Sequence, residues 1–335
     1  MNYLLAPISW IYGFFVWLRN VLYDDRILRS TEVDIPTICV GNLAVGGTGK
    51  TPMAEYLISL LASDYKVALL SRGYGRETKG FRLANERDTA HTIGDEPMQI
   101  HTHFPDIPVA VCADRVKGVK RLQQLFPDLQ CIILDDAYQH RKLRCGFYVL
   151  LTPYERLYTN DHMLPWGRLR DLPNQTHRAN VVVVTKCPTQ MQPIERRIVS
   201  NTLQLASYQH LFYSSIGYKP ITINHTPLLV TGIANPNPLL EYLQQQYPDT
   251  ELMAFPDHHA FTKQDIQRIL NKAEHYEHVV TTEKDYMRLL QTSLIHELGD
   301  KLHVVRIQTN LGIDQDTFNR EVLLYVSENN RKIPN

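Results

Sequence analysis

A doubly wound α/β fold followed by a second, smaller α/β domain is what this 335-residue sequence predicts, and three observations carry that expectation. An apolar run (Ile38, Val40) feeds a glycine-rich turn, and Met53, Leu57, Leu60 and Leu61 then share one helical face, giving strand, loop and helix. Residues 181–184 are four consecutive valines, the mark of a strand buried on both faces of a parallel sheet. Strand and helix patterns alternate up to about residue 215, and a second alternating series runs from 228 onward.

Composition sets the outer bounds. With 44% hydrophobic and 21% charged residues the chain is long enough for two cores, and its formal net charge of zero excludes a global pull toward nucleic acid. The five cysteines (Cys39, Cys112, Cys131, Cys145, Cys187) are scattered and make no C-x-x-C pair, which points to reduced thiols in a cytosolic compartment. There is no internal repeat, and nothing calls for an obligate protein partner.

Residues 1–18 carry no charged side chain and are crowded with aromatics (Trp10, Tyr12, Phe14, Phe15, Trp17) before Arg19, Arg26 and Arg29. As a helix this stretch would reach about 27 Å, marginal for a bilayer span. It lacks the basic start and cleavage site of a signal peptide, so residues 1–30 are expected to form a membrane-associated helix holding a cytosolic domain. A helix covering the sheet is the other reading of the same pattern.

The turn at 44–51 matches a phosphate-binding loop. Gly46, Gly47, Thr48 and Gly49 let successive N–H groups face inward, and the following helix adds its positive end. Lys50 can bridge terminal phosphates and Thr51 can ligate Mg²⁺, so ATP and Mg²⁺ are the expected ligands of a P-loop NTPase-like core over 31–215. Ala44 stands where the strict pattern has its first glycine, and a small residue suffices there.

A second strand at 65–71 ends in Arg72-Gly-Tyr-Gly-Arg76, projecting Arg72 and Tyr74 from a carboxyl edge where open α/β sheets bind ligands. Residues 66–87 hold six Lys/Arg against two Glu, which suits a phosphorylated substrate. Further basic clusters include Arg115 to Arg121, readable equally as a solvated helix face. Asp95, before a proline-containing turn, reads either as a helix cap or as a carboxylate that accepts a proton from an attacking hydroxyl. Residues 131–134 are an apolar strand whose end presents Asp135 and Asp136, placed to hold Mg²⁺, with Gln139 and His140 near the same crevice. Pro165 and Gly167 preclude a regular helix, so Arg168 and Arg170 sit on a loop suited to anions.

The stretch 208–228 alternates like a hairpin and is expected to be the connector, a β-ribbon through which the chain enters a second α/β domain, 216–335. That domain is expected as strand 228–231, helix 238–246, strand 252–255, helix 263–273, strand 279–282, helix 285–291, strand 303–307 and helix 315–328. Thr262 or Asp265 can cap its helix, Asp257 beside His258 can tune a proton acceptor, and Lys284-Asp285 reads either as a nucleotide contact or as a helix start.

Together, V-G-N-L-x-V-G-G-T-G-K-T-P at 40–52, S-R-G-Y-G-R at 71–76, G-D-E-P at 94–97, L-D-D-x-x-Q-H at 134–140, L-P-x-G-x-L-R at 164–170, D-H-H-x-F at 257–261 and T-T-E-K-D at 281–285 resemble the tetraacyldisaccharide 4'-kinase family of lipid A biosynthesis. The sequence departs from the family at Ala137-Tyr138, where glycine then an aromatic or leucine is usual, and at Asp171, usually Glu. The resemblance implies an inner-membrane enzyme, peripheral or monotopic on the cytoplasmic face. It would move the γ-phosphoryl of ATP to the 4'-hydroxyl of an acylated glucosamine disaccharide 1-phosphate. It implies Asp95 as proton acceptor, assisted by His258 held by Asp257. Lys50, Thr51, Asp135 and Asp136 would serve ATP and Mg²⁺, and Arg72, Tyr74, Arg115, Gln139 and Arg170 would contact substrate or transition state. A membrane-tethered P-loop ATPase switch is the alternative, disfavoured by Val45, where such switches carry Lys, and by the N-terminal place of the apolar helix.

Overall fold

The computed structural model describes residues 5–330 apart from 234, 257, 258, 260, 290 and 291. The chain divides into two units, 1–216 with 309–335, and 217–308. In chain order the first unit contains α1 (Ala6–Asp24), β1 (Thr37–Asn42), α2 (Lys50–Leu61), β2 (Val67–Ser71), β3 (Arg82–Leu83), α3 (Ala90–Ile93), α4 (Asp95–His103), β4 (Val109–Val111), α5 (Arg115–Leu125), β5 (Cys131–Asp135), β6 (Phe147–Pro153), β7 (Val181–Thr185), α6 (Pro193–Leu203) and β8 (His210–Tyr213).

Its eight strands lie in the order β3-β4-β2-β5-β1-β6-β7-β8. Pairs from β4 to β8 are parallel, and β3 pairs antiparallel with β4 at the edge. Because side chains alternate across a strand, Ile132 and Leu134 join the core on one face of the sheet while Cys131 and Ile133 join the core on the other. Both faces are therefore covered, which is why these strands read as unbroken apolar runs. All five cysteines are buried free thiols.

One feature of packing bears on the site. Gly41 lies inside β1, where an added Cβ would sit 2.5 Å from the Cβ of Tyr138. The absence of a side chain there lets the Tyr138 main chain and Cβ pack close against β1, and the buried Tyr138 hydroxyl donates to the Gln175 carbonyl at 2.7 Å.

The chain leaves the first unit through β9 (Ser215–Tyr218). The second unit is β10 (Leu228–Thr231), α7 (Asn237–Gln244), β11 (Glu251–Ala254), α8 (Lys263–Ala273), β12 (Val279–Thr282), α9 (Glu283–Leu289), α10 (Leu294–Leu298) and β13 (Leu302–Val305). Its four strands are parallel in the order β11-β10-β12-β13. Leu228 and Val230 face one core, Leu229 and Val280 the other. The cap of α8 is the anticipated one, Thr262 with Asp265 in a reciprocal capping box. The chain returns through β14 (Ile307–Asn310) and ends in α11 (Gln315–Asn330).

The structure corrects two expectations about organisation. Residues 208–228 are not a hairpin: β8 is the eighth strand of the large sheet, and β9 pairs with β14 instead. The terminal helix does not belong to the second unit. Phe318, Val322 and Val326, spaced i, i+4, i+8 and fully buried, join the core that contains Ile38, Met53 and Leu57. Tyr325 fastens the same helix, its hydroxyl accepting from the Thr37 amide at 3.1 Å and donating to the Thr37 carbonyl at 3.2 Å.

Candidate active site

The phosphate-binding loop is shaped from below. Gly46 (φ 106°) and Gly49 (φ 88°) take backbone conformations that side chains resist. Asn42, the last residue of β1, donates to the Thr48 hydroxyl at 2.7 Å, and Thr185 at the end of β7 donates to the Thr48 carbonyl at 2.9 Å. The Val45 amide donates to the Arg168 carbonyl at 2.8 Å. The loop is thus held from β1, β7 and the arginine loop, and it delivers Lys50 and Thr51 as the first residues of α2.

β5 runs parallel beside β1, with Val40 opposite Asp135, so the carboxylate pair emerges next to the loop. Asp135 is buried, and its Oδ2 accepts from the Ser71 hydroxyl at 3.3 Å. Burial first, then the charge of Asp136, pushes its carboxyl up to about 6. Glu96, at the start of α4, raises it further and Lys50 opposes them. Asp136 faces the opposite balance. Burial alone would raise it, but Arg170 and the nearby Lys50 and Arg115 hold it below the usual carboxylate range. Arg170 grips both oxygens of Asp136, one at 3.1 Å, and also donates to Asn42. The Lys50 Nζ lies 3.6 Å from Asp136.

These residues fit Mg²⁺. Asp135 Oδ1 is buried with no hydrogen-bond partner among the described residues, an acceptor that a cation would satisfy. Thr51 and Asp136 supply further oxygen donors of the hard kind Mg²⁺ takes.

Around this centre the expected residues fall into three groups. Arg72 and Tyr74 project outward, Tyr74 being 81% exposed. Asp95 is exposed at the first position of α4, while Gly94 holds the N-cap place, so the expected cap role of Asp95 is shifted by one residue. A Cβ on Gly94 would lie 2.9 Å from the Tyr74 carbonyl and 3.2 Å from Gly73, so the backbones of 73–74 and 94 touch and bring Asp95 to the same edge. Gln139 bridges, donating to the Asn42 carbonyl at 2.8 Å while its own carbonyl accepts from Arg19 at 2.6 Å.

Arg115 is the residue whose surroundings differ most from those expected. It is neither on a solvated face nor turned outward: at 1% exposed it donates to the carbonyls of Cys112 (2.8 Å), Asp135 (3.2 Å) and Asp136 (3.4 Å). It supports the turn that presents the carboxylates. Its amide also donates to His140 Nε2, and burial, then Arg115, drives that imidazole down to about 4.

In the second unit Asp285 is fully buried. It accepts from Thr231 (2.8 Å), the Gly232 amide (2.9 Å), Thr282 (2.7 Å) and Arg288 (3.1 Å). Bonded by protein on both oxygens, it knots β10, β12 and α9 together, the structural role of a helix start. Asp257 and His258 lie outside the described residues.

Sequence reasoning passed over Asn42, Ser71 and Thr185. A signal was present, since each is the polar last residue of a strand with an apolar interior that ends at the phosphate loop or the carboxylates.

A parallel sheet with a lysine-tipped glycine loop after one strand and a carboxylate pair after the next defines a P-loop phosphotransferase. The chain belongs to the tetraacyldisaccharide-1-P 4'-kinase (LpxK) family, whose profile matches residues 1–326, and it is an ATP-dependent kinase of lipid A biosynthesis. It is 43% identical to the tetraacyldisaccharide 4'-kinase of Bacteroides thetaiotaomicron over 98% of this chain and 94% of that protein. It is also 43% identical to the enzyme of the same name from Flavobacterium johnsoniae, over 97% of each chain. The crystal structure of LpxK from Aquifex aeolicus in complex with ATP superposes with a TM-score of 0.73 at 25% identity, covering 96% of this chain and 98% of that one.

Proposed function

We propose that the chain transfers the γ-phosphoryl group of ATP to the 4'-hydroxyl of a tetraacylated glucosamine disaccharide 1-phosphate, at the cytoplasmic face of the inner membrane. The observation that carries this reading is the cluster of Lys50, Asp136 and Arg170 beside the phosphate loop, two cations and a carboxylate gathered where a polyphosphate would lie. The amides of 46–49 and the Lys50 ammonium bind the triphosphate, and Thr51, Asp135 and Asp136 would hold Mg²⁺, which when bound would supply charge neutralisation for the transferring group. The acceptor oxygen forms the new bond to the γ-phosphorus, the bond to the β-phosphate oxygen breaks with its electrons leaving on ADP, and the hydroxyl proton passes to Asp95. The resemblance assigns Asp257 and His258 an assisting part in that proton transfer. Arg72 and Tyr74, exposed on the same edge as Asp95, contact the acceptor's polar head. Arg115 acts by fixing the main chain under the carboxylates.

The membrane part of the proposal rests on an inverted helix. α1 buries Ser9 and Asn20 and exposes Trp10 (71%), Phe15 (63%), Ile11 (61%) and Phe14 (54%). Its polar side is fastened to the site loops. Ser9 donates to the Met163 carbonyl and accepts from the Trp166 amide, both at 2.9 Å, and Asn20 donates to Asp171 at 2.8 Å. A helix with its apolar stripe outward is suited to the interfacial layer of a bilayer. No described helix is long and apolar enough to cross a membrane, so docking on the surface is the mode this helix supports.

Incubating the purified protein with γ-labelled ATP, Mg²⁺ and disaccharide lipid is expected to give labelled lipid, and excess EDTA to abolish it. Absence of labelled lipid with the wild-type protein would remove the kinase reading. Trp10→Lys combined with Phe14→Lys is expected to weaken binding to phosphatidylethanolamine/phosphatidylglycerol vesicles at least about tenfold, since each ring contributes roughly 1.5–3 kcal/mol on burial. Equal flotation of variant and wild type would place the membrane contact elsewhere.

A further inference from the structure

Far along the chain from the kinase residues, the second unit gathers histidines at the amino ends of its strands. His225 precedes β10, Glu277 and His278 immediately precede β12, and His303 is the second residue of β13. The parallel register sets them side by side. Leu228 is opposite Val279, its amide donates to the His278 carbonyl at 2.9 Å, and Val280 is opposite His303.

We infer that His225, Glu277 and His278 form a binding site for a borderline divalent transition metal, Zn²⁺ or one of its neighbours Ni²⁺ and Cu²⁺. One ligand atom from each of the three lies within 4.8 Å of those of the other two. His225 Nδ1 and Glu277 Oε2 are already 2.8 Å apart. Tetrahedral zinc with bonds of about 2.0–2.1 Å sets its ligand atoms about 3.3 Å apart, so closing the site requires a shift of about 1.5 Å at most. The His225 and Glu277 side chains are 54% and 63% exposed and can move that far without displacing the core.

The surroundings orient the third ligand. His278 Nδ1 lies 3.0 Å from His303 Nε2, and its Nε2 lies 2.5 Å from Asn224 Oδ1. Whichever nitrogen turns to the metal, the other keeps a partner that fixes the ring, the usual arrangement around ligating imidazoles. Two imidazoles and one carboxylate favour Zn²⁺, Ni²⁺ or Cu²⁺ over Mg²⁺, which prefers all-oxygen donors. The site is on rigid ground, at strand ends joined by a ladder bond. At the other, carboxyl ends of β10 and β12 the chain runs into Gly232, just past β10, and into α9, where Asp285 accepts from the Gly232 amide.

Isothermal titration of the full chain, stripped with a chelator, desalted and kept in millimolar Mg²⁺, tests this directly. One Zn²⁺ per chain is expected to bind without displacement by Mg²⁺. His225→Ala and Glu277→Gln, both at exposed positions, are each expected to weaken it by about tenfold or more, the scale on which lost ligand-shell groups act. Melting curves of the variants without metal establish that they are folded. The Co²⁺-loaded wild type is expected to show the visible absorption of a four-coordinate ion, lost in His225→Ala. No Zn²⁺ binding, competition by Mg²⁺, affinity in both variants weakened by less than about fivefold, or a Co²⁺ spectrum unchanged by the substitution would each overturn the assignment.

Discussion

Lys50→Ala is expected to lower turnover by on the order of 10²–10³-fold, the loss seen when one preorganised cation or donor is removed from developing charge. The lysine stands at the head of α2, one residue after the left-handed Gly49, with Nζ 3.6 Å from Asp136. Its removal deletes the ammonium on the triphosphate and one of the cations that hold Asp136 ionised. Asp136 keeps Arg170, so the carboxylate is not stranded and the fold should melt within a few degrees of wild type. Steady-state kinetics with ATP, together with equilibrium binding of a non-hydrolysable ATP analogue, check both halves. Undiminished turnover would mean that the loop is not where the phosphates bind.

Asp95→Asn should separate binding from chemistry. The side chain is exposed at the start of α4, outside the 44–51 loop. Affinity for the ATP analogue is therefore expected to stay within about twofold, while kcat on the disaccharide lipid falls by roughly 10²–10⁴-fold, the range of a lost general base. The amide keeps the shape of the carboxylate but is a far weaker proton acceptor. Should kcat survive, the acceptor is not Asp95, and the pair Asp257 and His258 becomes the next to substitute.

The elements around the phosphate loop were legible because their signals are local. Strand, glycine turn and helix at 37–61 follow from apolar spacing and glycine placement within a few residues, and α8 falls at 263–273 with its Thr262 and Asp265 cap for the same reason. The carboxylate pair after β5 was readable as a polar end on an apolar run. Less was readable about what each charged side chain does. Arg115 and Arg170 look alike in sequence, both basic residues near a loop. One is buried beneath the strand end and the other grips Asp136 from the loop at 164–170.

By itself the sequence determined the fold class, the phosphate loop, the carboxylate pair, the family and the apolar character of the first helix, since each is written in residues close together along the chain. Tertiary structure alone decided that α11 returns to the first unit, that β9 pairs with β14, and that α1 turns its polar side inward. It also decided that Arg170 reaches Asp136 across 34 residues. Periodicity tells a helix which of its faces is apolar, but not which surface that face will meet. The partner is chosen by packing between distant segments, and an arginine's role follows from whether that packing leaves it facing solvent, a carbonyl or a carboxylate.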